Sequence, residues 1–173
     1  MIDTSEVLIT HEQIQEMLDR LAAELNRDYA GRPLVVVGIL TGAFIFCSDL
    51  VRRLEMPVIV DFMQVSRYVG EISTGNLKIK KDMSYDIAGK DVLIVEDIID
   101  TGRTLALLKE QLLKRGPASL KICTAFDKPD RRVTELVPDY NGITIPDKFI
   151  VGYGLDLDGE YRNYDDIRVV KQE

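Results

Sequence analysis

The sequence predicts an α/β fold in which a doubly wound, mainly parallel sheet is flanked by helices. Three apolar runs rich in β-branched residues, at 34–40, 57–63 and 91–96, have the continuous hydrophobicity of strands buried on both faces. Helix-like segments separate these runs, and such alternation is typical of a parallel sheet with right-handed crossovers. In such sheets, ligands bind beyond the carboxyl ends of the strands.

The segments between the strands carry helix signals. Thr10 and Gln13 have the spacing of a capping box, and an apolar stripe with helical periodicity follows them. Two more helices are expected, one that runs to about Glu55 and one from about Arg103 to about Arg115. Shorter apolar runs predict the remaining strands, at 77–80, 119–126, 149–153 and 167–170.

Length and composition restrict the class of protein. The 173 residues fit a single domain spanning 1–173, and the net charge of -7 should repel nucleic acids and anionic lipid surfaces. The sequence contains neither a basic leader nor an apolar run as long as a membrane span. Cys47 and Cys123 lie in apolar runs without metal-binding spacing, so buried thiols are expected. We therefore expect a cytoplasmic protein that binds neither nucleic acid nor membrane.

The single histidine limits the available chemistry. His11 falls in the first turn of the first predicted helix, where a solvated surface position is expected. Acid-base steps must then come from carboxylates, Lys, Tyr or Cys. Any metal site would have mainly oxygen ligands, which favours Mg²⁺ or Mn²⁺.

The segment VLIVEDIIDTGRTL, residues 92–105, has the parts of a ribose and phosphate site. An apolar strand leads to Glu96-Asp97, and Asp100 precedes a Thr-Gly-Arg-Thr sequence at a helix start, where backbone N–H groups can bind phosphate. Acidic helix starts also arise from ordinary capping. Capping does not explain two adjacent carboxylates at the end of a buried strand, which are costly without a ligand. The sequence lacks the Walker A and G-x-G-x-x-G motifs, so an ATPase or dinucleotide site is not supported.

This segment resembles the phosphoribosyl pyrophosphate motif of type I phosphoribosyltransferases. Together with the DKP at 127–129 and IPDKFIVGYGLD at 145–156, it is similar to the hypoxanthine and hypoxanthine-guanine branch of that family. The resemblance covers nearly all of the chain after residue 33. It implies the type I phosphoribosyltransferase fold, with a small hood formed by terminal segments.

The resemblance assigns roles to the 92–105 segment. It implies that Glu96 and Asp97 face the ribose diol and that Asp100 is the general base that accepts the purine N7 proton. The residues that follow Asp100 would hold the 5′-phosphate. The implied phosphoribosyl-binding residues are Glu96, Asp97, Asp100, Thr101, Gly102, Arg103 and Thr104.

The purine site is implied by downstream residues. Lys128 resembles the donor to the purine 6-oxo group, which would select oxopurines over adenine. Phe149 resembles the aromatic residue that stacks on the base, and Ile150 the residue whose backbone reads its edge. Taken alone, Lys128 is as compatible with a surface lysine, and Phe149-Ile150 with core packing. The implied purine-binding residues are Lys128, Phe149, Ile150 and Asp156.

Pyrophosphate and metal binding are also implied by the resemblance. Leu40, Thr41 and Gly42 resemble a pyrophosphate loop that contains a non-proline cis peptide, and Arg162 resembles a clamp on the pyrophosphate oxygens. The implied cofactor is Mg²⁺, for which Mn²⁺ can substitute. The candidate metal ligands are Glu96, Asp97 and Asp156.

One segment departs from the family pattern. The mobile loop of the family usually carries a Ser-Tyr pair followed by glycine, whereas this chain has Ser66-Arg67-Tyr68-Val69. Either Arg67 supplies a phosphate contact or loop closure is altered.

The leading functional hypothesis is a purine salvage enzyme that converts hypoxanthine, and also guanine, with phosphoribosyl pyrophosphate to IMP or GMP and pyrophosphate. One alternative is a transferase that prefers xanthine. The other is a non-catalytic sensor of phosphoribosyl pyrophosphate that binds a nucleic acid, which the acidic net charge disfavours. The resemblance implies a homodimer or homotetramer.

Overall fold

The computed structural model describes residues 2–67 and 76–172, in which strands alternate with helices. The helices are α1 (His11–Asp28), α2 (Phe44–Val51) and α3 (Arg103–Leu113), with a 3₁₀ turn at Pro129–Arg131. The strands are β1 (Ile2–Asp3), β2 (Val7–Ile9), β3 (Leu34–Ile39), β4 (Val58–Arg67), β5 (Leu77–Lys81), β6 (Asp91–Ile99), β7 (Ser119–Asp127), β8 (Tyr140–Thr144), β9 (Ile150–Val151), β10 (Ile167–Val169) and β11 (Lys171–Gln172).

A six-stranded sheet forms the centre of the fold, in the order β5-β4-β3-β6-β7-β8. The edge strand β5 is antiparallel to β4, and the other neighbours are parallel. This arrangement confirms the predicted mainly parallel sheet. The carboxyl ends of β3, β6 and β7 therefore meet at one edge, where the chain places most of its polar motifs.

Both faces of the sheet are covered, because alternate residues of each strand point in opposite directions. On β3, Leu34 and Val36 belong to the hydrophobic cluster that contains α1 and α2. Val35 and Val37 belong to the cluster that contains α3. The apolar runs of β3 and β6 thus reflect burial on two sides, as the sequence predicted. The same prediction is wrong for the 57–63 run, because Ile59 and Val60 of β4 are 38% and 42% exposed.

Helix α1 begins with the predicted capping box. The Gln13 amide donates to Thr10 Oγ1 at 3.2 Å, and the Thr10 amide donates to Gln13 Oε1 at 2.8 Å. His11, the first residue of the helix, is exposed, as expected, and its Nδ1 lies 3.6 Å from Asp165 Oδ2. The apolar stripe packs against the sheet and comprises Ile14, Met17, Leu18, Leu21, Ala22 and Leu25.

The terminal segments form two small sheets apart from the central one. One contains β2, β10 and β9 in that order, and the other pairs β1 with β11. Glu6 joins these segments, since its carboxylate lies 3.1 Å from Lys148 Nζ and 2.7 Å from Lys171 Nζ. This framework holds the 145–162 region beside the carboxyl edge of the central sheet.

Several predicted boundaries are wrong. Helix α2 ends at Val51 rather than near Glu55, because residues 52–54 form tighter turns and Pro57 disfavours a helical residue before it. Strand β6 continues to Ile99, past the predicted end at Glu96. Strand β9 contains only Ile150–Val151, since the chain turns at Gly152, where φ is 105°.

Strand β8 was not predicted. Its sequence, YNGIT, contains an Asn-Gly pair that is typical of a turn. Position 142 of this strand is a glycine because a Cβ there would come within 2.1 Å of the Ala125 carbonyl oxygen. Close packing against β7 therefore explains the glycine.

Both cysteines are buried and unpaired, as predicted. Burial raises the pKa of the Cys47 thiol to about 12 and also raises the pKa of Cys123. In residues 2–67 and 76–172, no helix is both long enough and apolar enough to cross a membrane.

Leu21→Ala tests the contribution of the α1 stripe to stability. The side chain is fully buried, so its loss should lower the free energy of unfolding by about 2–5 kcal/mol, measured by urea titration. Leu113→Ala is the control, because Leu113 is 51% exposed at the end of α3 and should change stability by less than about 0.5 kcal/mol. Equal effects of the two variants would contradict this packing.

Candidate active site

Polar residues from four segments meet at the carboxyl edge of the central sheet. The 40–42 loop follows β3, the acidic pair lies near the end of β6, and Lys128 follows β7. The fourth segment, 154–162, comes from beyond β9. Parallel strand order therefore brings the segments singled out in the sequence to one side of the molecule.

Glu96 and Asp97 are the sixth and seventh of the nine residues of β6, where the strand extends beyond its pairing with β3. The Asp97 amide donates to Glu96 Oε1 at 3.1 Å, and the Ile98 amide donates to Asp97 Oδ1 at 2.7 Å. The strand pairing with β7 is interrupted at Asp97. The two carboxylates are thus held by their own backbone.

Enclosure by the protein makes ionisation of this pair unfavourable. Both residues keep some exposed surface, but their carboxyl groups are surrounded by protein. Burial, and then the charge of Asp97, raise the pKa of Glu96 well above its usual value. Burial also raises the pKa of Asp97, although its hydrogen bonds and the Arg162 guanidinium oppose that shift. A cation or a pair of hydroxyl donors would relieve the repulsion.

The start of α3 opens onto a pocket of about 140 Å³. The N-cap residue, Gly102, supplies no side-chain cap, and the Arg103 amide makes only a long hydrogen bond, at 3.4 Å, to Thr101 Oγ1. Uncapped N–H groups and the helix dipole favour an anion in this position. The residues that line the pocket are Glu96, Ile98, Ile99, Asp100, Thr101, Gly102, Arg103, Thr104 and Leu105.

Gly102 is required at the start of α3 for two reasons. Its φ of 80° lies in the left-handed region, which other residues rarely adopt. A Cβ would also come within 2.6 Å of Thr134 Oγ1 and 2.8 Å of Arg132 Cδ. The turn before the helix therefore depends on the segment that follows Lys128.

Asp100 is half-exposed and forms an ion pair with Arg131, whose Nε lies 3.0 Å from Asp100 Oδ1. The next residue, Arg132, donates from Nε to the Asp100 carbonyl at 3.2 Å and forms an ion pair with Asp127. Sequence reasoning missed both arginines. The DKPDRR sequence places them three and four residues after Lys128, but the contact of Arg131 with Asp100 spans 31 positions.

Two of the candidate purine segments are linked to the region of Asp100, one through Lys128 and the other through Arg131. Lys128 is 7% exposed, and its amide donates to the Ile99 carbonyl at 2.9 Å, so it lies beside the end of β6. Phe149 is 54% exposed and Ile150 is buried in β9. Arg131 Nη1 lies 3.9 Å from Asp147 Oδ2, which brings the 145–150 segment close to the turn after Lys128.

The 40–42 loop lies against the acidic pair. The Leu40–Thr41 peptide is cis. At Gly42, a Cβ would lie 1.7 Å from Asp97 Oδ2, so any other residue would displace the Asp97 carboxylate. At Gly154, where φ is 97°, a Cβ would lie 2.1 Å from the Gly42 carbonyl oxygen. Gly42 and Gly154 therefore allow the 40–42 loop to touch both β6 and the 154–162 segment.

Arg162 and Asp156 lie together beside this contact. Arg162 donates from Nη1 to the Gly154 carbonyl at 2.6 Å, and its Nη2 lies 3.0 Å from Asp156 Oδ1. Asp156 also accepts the Gly159 amide at 2.8 Å. The structure thus brings together the residues of the 154–162 segment that the resemblance singled out.

The structure gives less information on the predicted metal ligands and on the predicted mobile loop. Within residues 2–67 and 76–172, no three Asp, Glu, His or Cys residues are grouped closely enough to hold a metal ion by themselves. Ser66 and Arg67 are the last residues of β4, whereas Tyr68 and Val69 lie outside the described residues.

A family model described as a phosphoribosyl transferase domain matches residues 5–158. The chain belongs to the phosphoribosyl transferase family. A hypoxanthine-guanine phosphoribosyltransferase of Streptococcus pneumoniae is 46% identical, over 99% of this chain and 96% of that protein. A protein of the same name from Staphylococcus aureus is 48% identical with the same coverage.

The structural comparison agrees with the family. A crystal structure of a Bacillus anthracis hypoxanthine-guanine phosphoribosyltransferase, with a HEPES molecule in its active site, superposes with a TM-score of 0.93. It is 42% identical and covers 99% of this chain and 100% of its own. The type I phosphoribosyltransferase fold expected from the sequence is confirmed.

Glu96→Gln should make the protein more stable, by an amount that grows with pH. Below the unfolded pKa of a glutamate both states are protonated, so the variant and the original chain should differ little. As pH rises, the unfolded chain ionises first, and the raised folded pKa of Glu96 then costs stability that glutamine does not lose. Each kcal/mol corresponds to about 2–4 °C in Tm for a chain of this size.

Thermal unfolding between pH 5 and pH 8, in buffer containing a chelator, measures this difference. Glu16→Gln on the exposed side of α1 is the matched control and should show no such trend. A Glu96→Gln chain whose Tm advantage stays constant or shrinks with rising pH would contradict the enclosed acidic pair.

Proposed function

We propose that this phosphoribosyl transferase acts in purine salvage, joining hypoxanthine, and also guanine, to the ribose of phosphoribosyl pyrophosphate. The products are IMP or GMP and pyrophosphate. The observation that carries the proposal is the uncapped start of α3, which opens beside both the acidic pair and Asp100. The names of the relatives identify the purine branch.

The start of α3 binds the 5′-phosphate. The N–H groups of the first turn donate to the phosphate oxygens, and the hydroxyls of Thr101 and Thr104 add further donors. Arg103 adds a positive charge at the exposed rim. Since Gly102 keeps its Cα free of a side chain, the phosphate can approach the backbone closely.

Glu96 and Asp97 accept hydrogen bonds from the ribose hydroxyls. Carboxylates with raised pKa values gain more from two donors than solvated carboxylates would. Binding therefore offsets part of the repulsion between the two carboxylates. This fixes the ribose with its C1′ carbon toward the purine site.

The purine binds between Asp100, Lys128 and the 149–150 segment. Its N9 attacks C1′ as the bond from C1′ to the pyrophosphate oxygen breaks, and Asp100 accepts the N7 proton. Lys128 donates to the 6-oxo group, the exposed Phe149 ring stacks on the base, and the Ile150 backbone reads its edge. Asp100 must leave Arg131, at least in part, to take the proton.

Mg²⁺, or Mn²⁺ in its place, fits the oxygen donors of this site. Glu96, Asp97 and Asp156 would hold it, and because no three of the described acidic residues form a cage, substrate oxygens and water must complete the shell. When bound, the ion neutralises the charge that grows on the departing pyrophosphate. The charge of Asp97 contributes to the raised pKa of Glu96, and a bound cation would offset that repulsion.

Arg162 and the 40–42 loop hold the pyrophosphate. The Arg162 guanidinium is oriented by the Gly154 carbonyl and by Asp156, so it is fixed before substrate binds. Backbone N–H groups of the loop add donors beside Asp97. Arg67, at the end of β4, is proposed to contact phosphate in place of the serine of the family pattern.

The cellular location, the oligomeric state and the ligands of the enzyme are also part of this function. The chain acts as a single domain in the cytoplasm, where its buried reduced cysteines are compatible with the redox conditions. We expect it to assemble as a homodimer or homotetramer, as the family resemblance implies. Its partners are the oxopurine and phosphoribosyl pyrophosphate, and a preference for xanthine is the alternative that the next experiment separates.

The proposed activity is tested by mixing the protein, phosphoribosyl pyrophosphate and Mg²⁺ with hypoxanthine, guanine, xanthine or adenine and following nucleotide formation. Hypoxanthine and guanine should give IMP and GMP, adenine should give little product, and excess chelator should abolish turnover. Faster turnover of xanthine would establish the alternative specificity. No product from any base would refute the enzyme.

Asp100→Asn tests the general base. The amide keeps the size of the side chain but cannot take the proton, so kcat should fall by about 10²–10⁴ while KM for phosphoribosyl pyrophosphate changes little. The control is Asp130→Asn, at an exposed carboxylate in the neighbouring 3₁₀ turn, which should turn over normally. Near-normal kcat in the Asp100 variant would remove its role as base.

A further inference from the structure

The turn after β9 has an unusual backbone. Three consecutive residues have positive φ, at 105° for Gly152, 48° for Tyr153 and 97° for Gly154. Glycine adopts such angles readily, but tyrosine rarely does. A non-glycine residue persists there only when its surroundings fix it, so the contacts of Tyr153 require an explanation.

The two glycines and the tyrosine make different contacts. A Cβ at Gly152 would lie 2.1 Å from the Asp166 carbonyl, and one at Gly154 would lie 2.1 Å from the Gly42 carbonyl. Both glycines therefore pack directly against backbone. Tyr153 carries the only side chain of the three, and it is buried in the cluster formed with α1 and α2.

The hydroxyl of Tyr153 donates to Asp49 Oδ2 at 2.7 Å. Asp49 belongs to α2, the helix that begins directly after the 40–42 loop. The backbone of Tyr153 is fixed as well, since its amide donates to the Tyr164 carbonyl at 2.8 Å. One partly buried hydrogen bond thus joins the turn after β9 to the helix that follows the 40–42 loop.

The position of this turn sets two contacts of the proposed pyrophosphate site. Gly154 touches the Gly42 carbonyl on one side, and its own carbonyl accepts from Arg162 at 2.6 Å on the other. Arg162 in turn lies 3.0 Å from Asp156. A shift of the turn would therefore move both Arg162 and the surface that supports the 40–42 loop.

We propose that Tyr153, through its bond to Asp49, is a positioning residue that holds the 40–42 loop and Arg162 in register for pyrophosphate. The inference rests on the proposed function for the identity of the ligand. Tyr153 touches no substrate and takes no part in the proton transfer. It acts by joining the 40–42 loop to the segment that carries Arg162, both of which are proposed to bind the pyrophosphate.

Tyr153→Phe tests this role, because it removes the hydroxyl and keeps the ring. Tyr140→Phe is a closely matched control: Tyr140 is also buried, and its hydroxyl donates to Asp28 Oδ2 at 2.8 Å, at the amino end of β8. Both variants lose a tyrosine–aspartate hydrogen bond, so both should lower Tm by a similar amount. Only one of the two bonds borders the proposed site.

In steady-state kinetics with Mg²⁺, Tyr153→Phe should raise KM for phosphoribosyl pyrophosphate about fivefold or more, the change that one buried hydrogen bond typically produces. KM for hypoxanthine should stay within about twofold. Calorimetric titration with Mg²⁺ and pyrophosphate should show a similar loss of affinity. Asp49→Ala removes the same bond from the other side, together with an ion pair to the exposed Arg52, and should reproduce the pattern if the phenylalanine variant folds poorly. Arg52→Ala, which removes only that ion pair, should leave both KM values unchanged.

Unchanged pyrophosphate affinity and KM in Tyr153→Phe and Asp49→Ala would overturn the inference. An equal change in Tyr140→Phe would also overturn it, because general loosening would then suffice. Failure of the original chain to form nucleotide with any base would refute the proposed function instead. The pyrophosphate titration would still decide whether Tyr153 positions an anion site.

Discussion

The site is organised around two adjacent carboxylates held at the carboxyl end of a buried strand. Glu96 and Asp97 keep some exposed surface, but protein encloses their carboxyl groups, and the Arg162 guanidinium offsets only part of the rise in the pKa of Asp97. Such an arrangement reduces stability at neutral pH. Its retention is reasonable where a ligand supplies the missing donors or positive charge.

The neighbouring segments can be understood from this constraint. The 40–42 loop can approach Asp97 closely because position 42 is glycine. The 154–162 segment can approach the same loop closely because position 154 is glycine. The acidic pair supplies hydrogen-bond acceptors, whereas the start of α3, which lacks a side-chain cap, supplies N–H donors beside it. A substrate with hydroxyls in its middle and phosphates at both ends matches this alternation of acceptors and donors.

Much of the fold could be predicted because its signals are local. The β-branched runs of β3 and β6 and the capping box of α1 depend on residues close together in the chain. Strand β8 was missed because its Asn-Gly pair has the local signature of a turn, and its real cause is packing against β7. The end of β6 was misplaced because two acidic residues resemble the end of a strand.

The site divides in the same way. The proposed phosphate segment at 92–105 is continuous in sequence, so its spacing and chemistry were enough to predict a site there, and residues 98–105 line one pocket with Glu96. The contacts of Arg131 with Asp100 and of Tyr153 with Asp49 join residues 31 and 104 positions apart. Contacts of this kind depend on how the strands are ordered in the sheet, which a single sequence does not specify.

A crystal structure of the chain with IMP bound most directly tests the roles of the acidic pair and of α3. The 5′-phosphate should lie within about 2.7–3.2 Å of backbone N–H groups at the start of α3, with the ribose hydroxyls on Glu96 and Asp97. The purine should lie between Asp100 and Phe149. A phosphate bound away from α3, or a ribose without contact to the acidic pair, would contradict these roles.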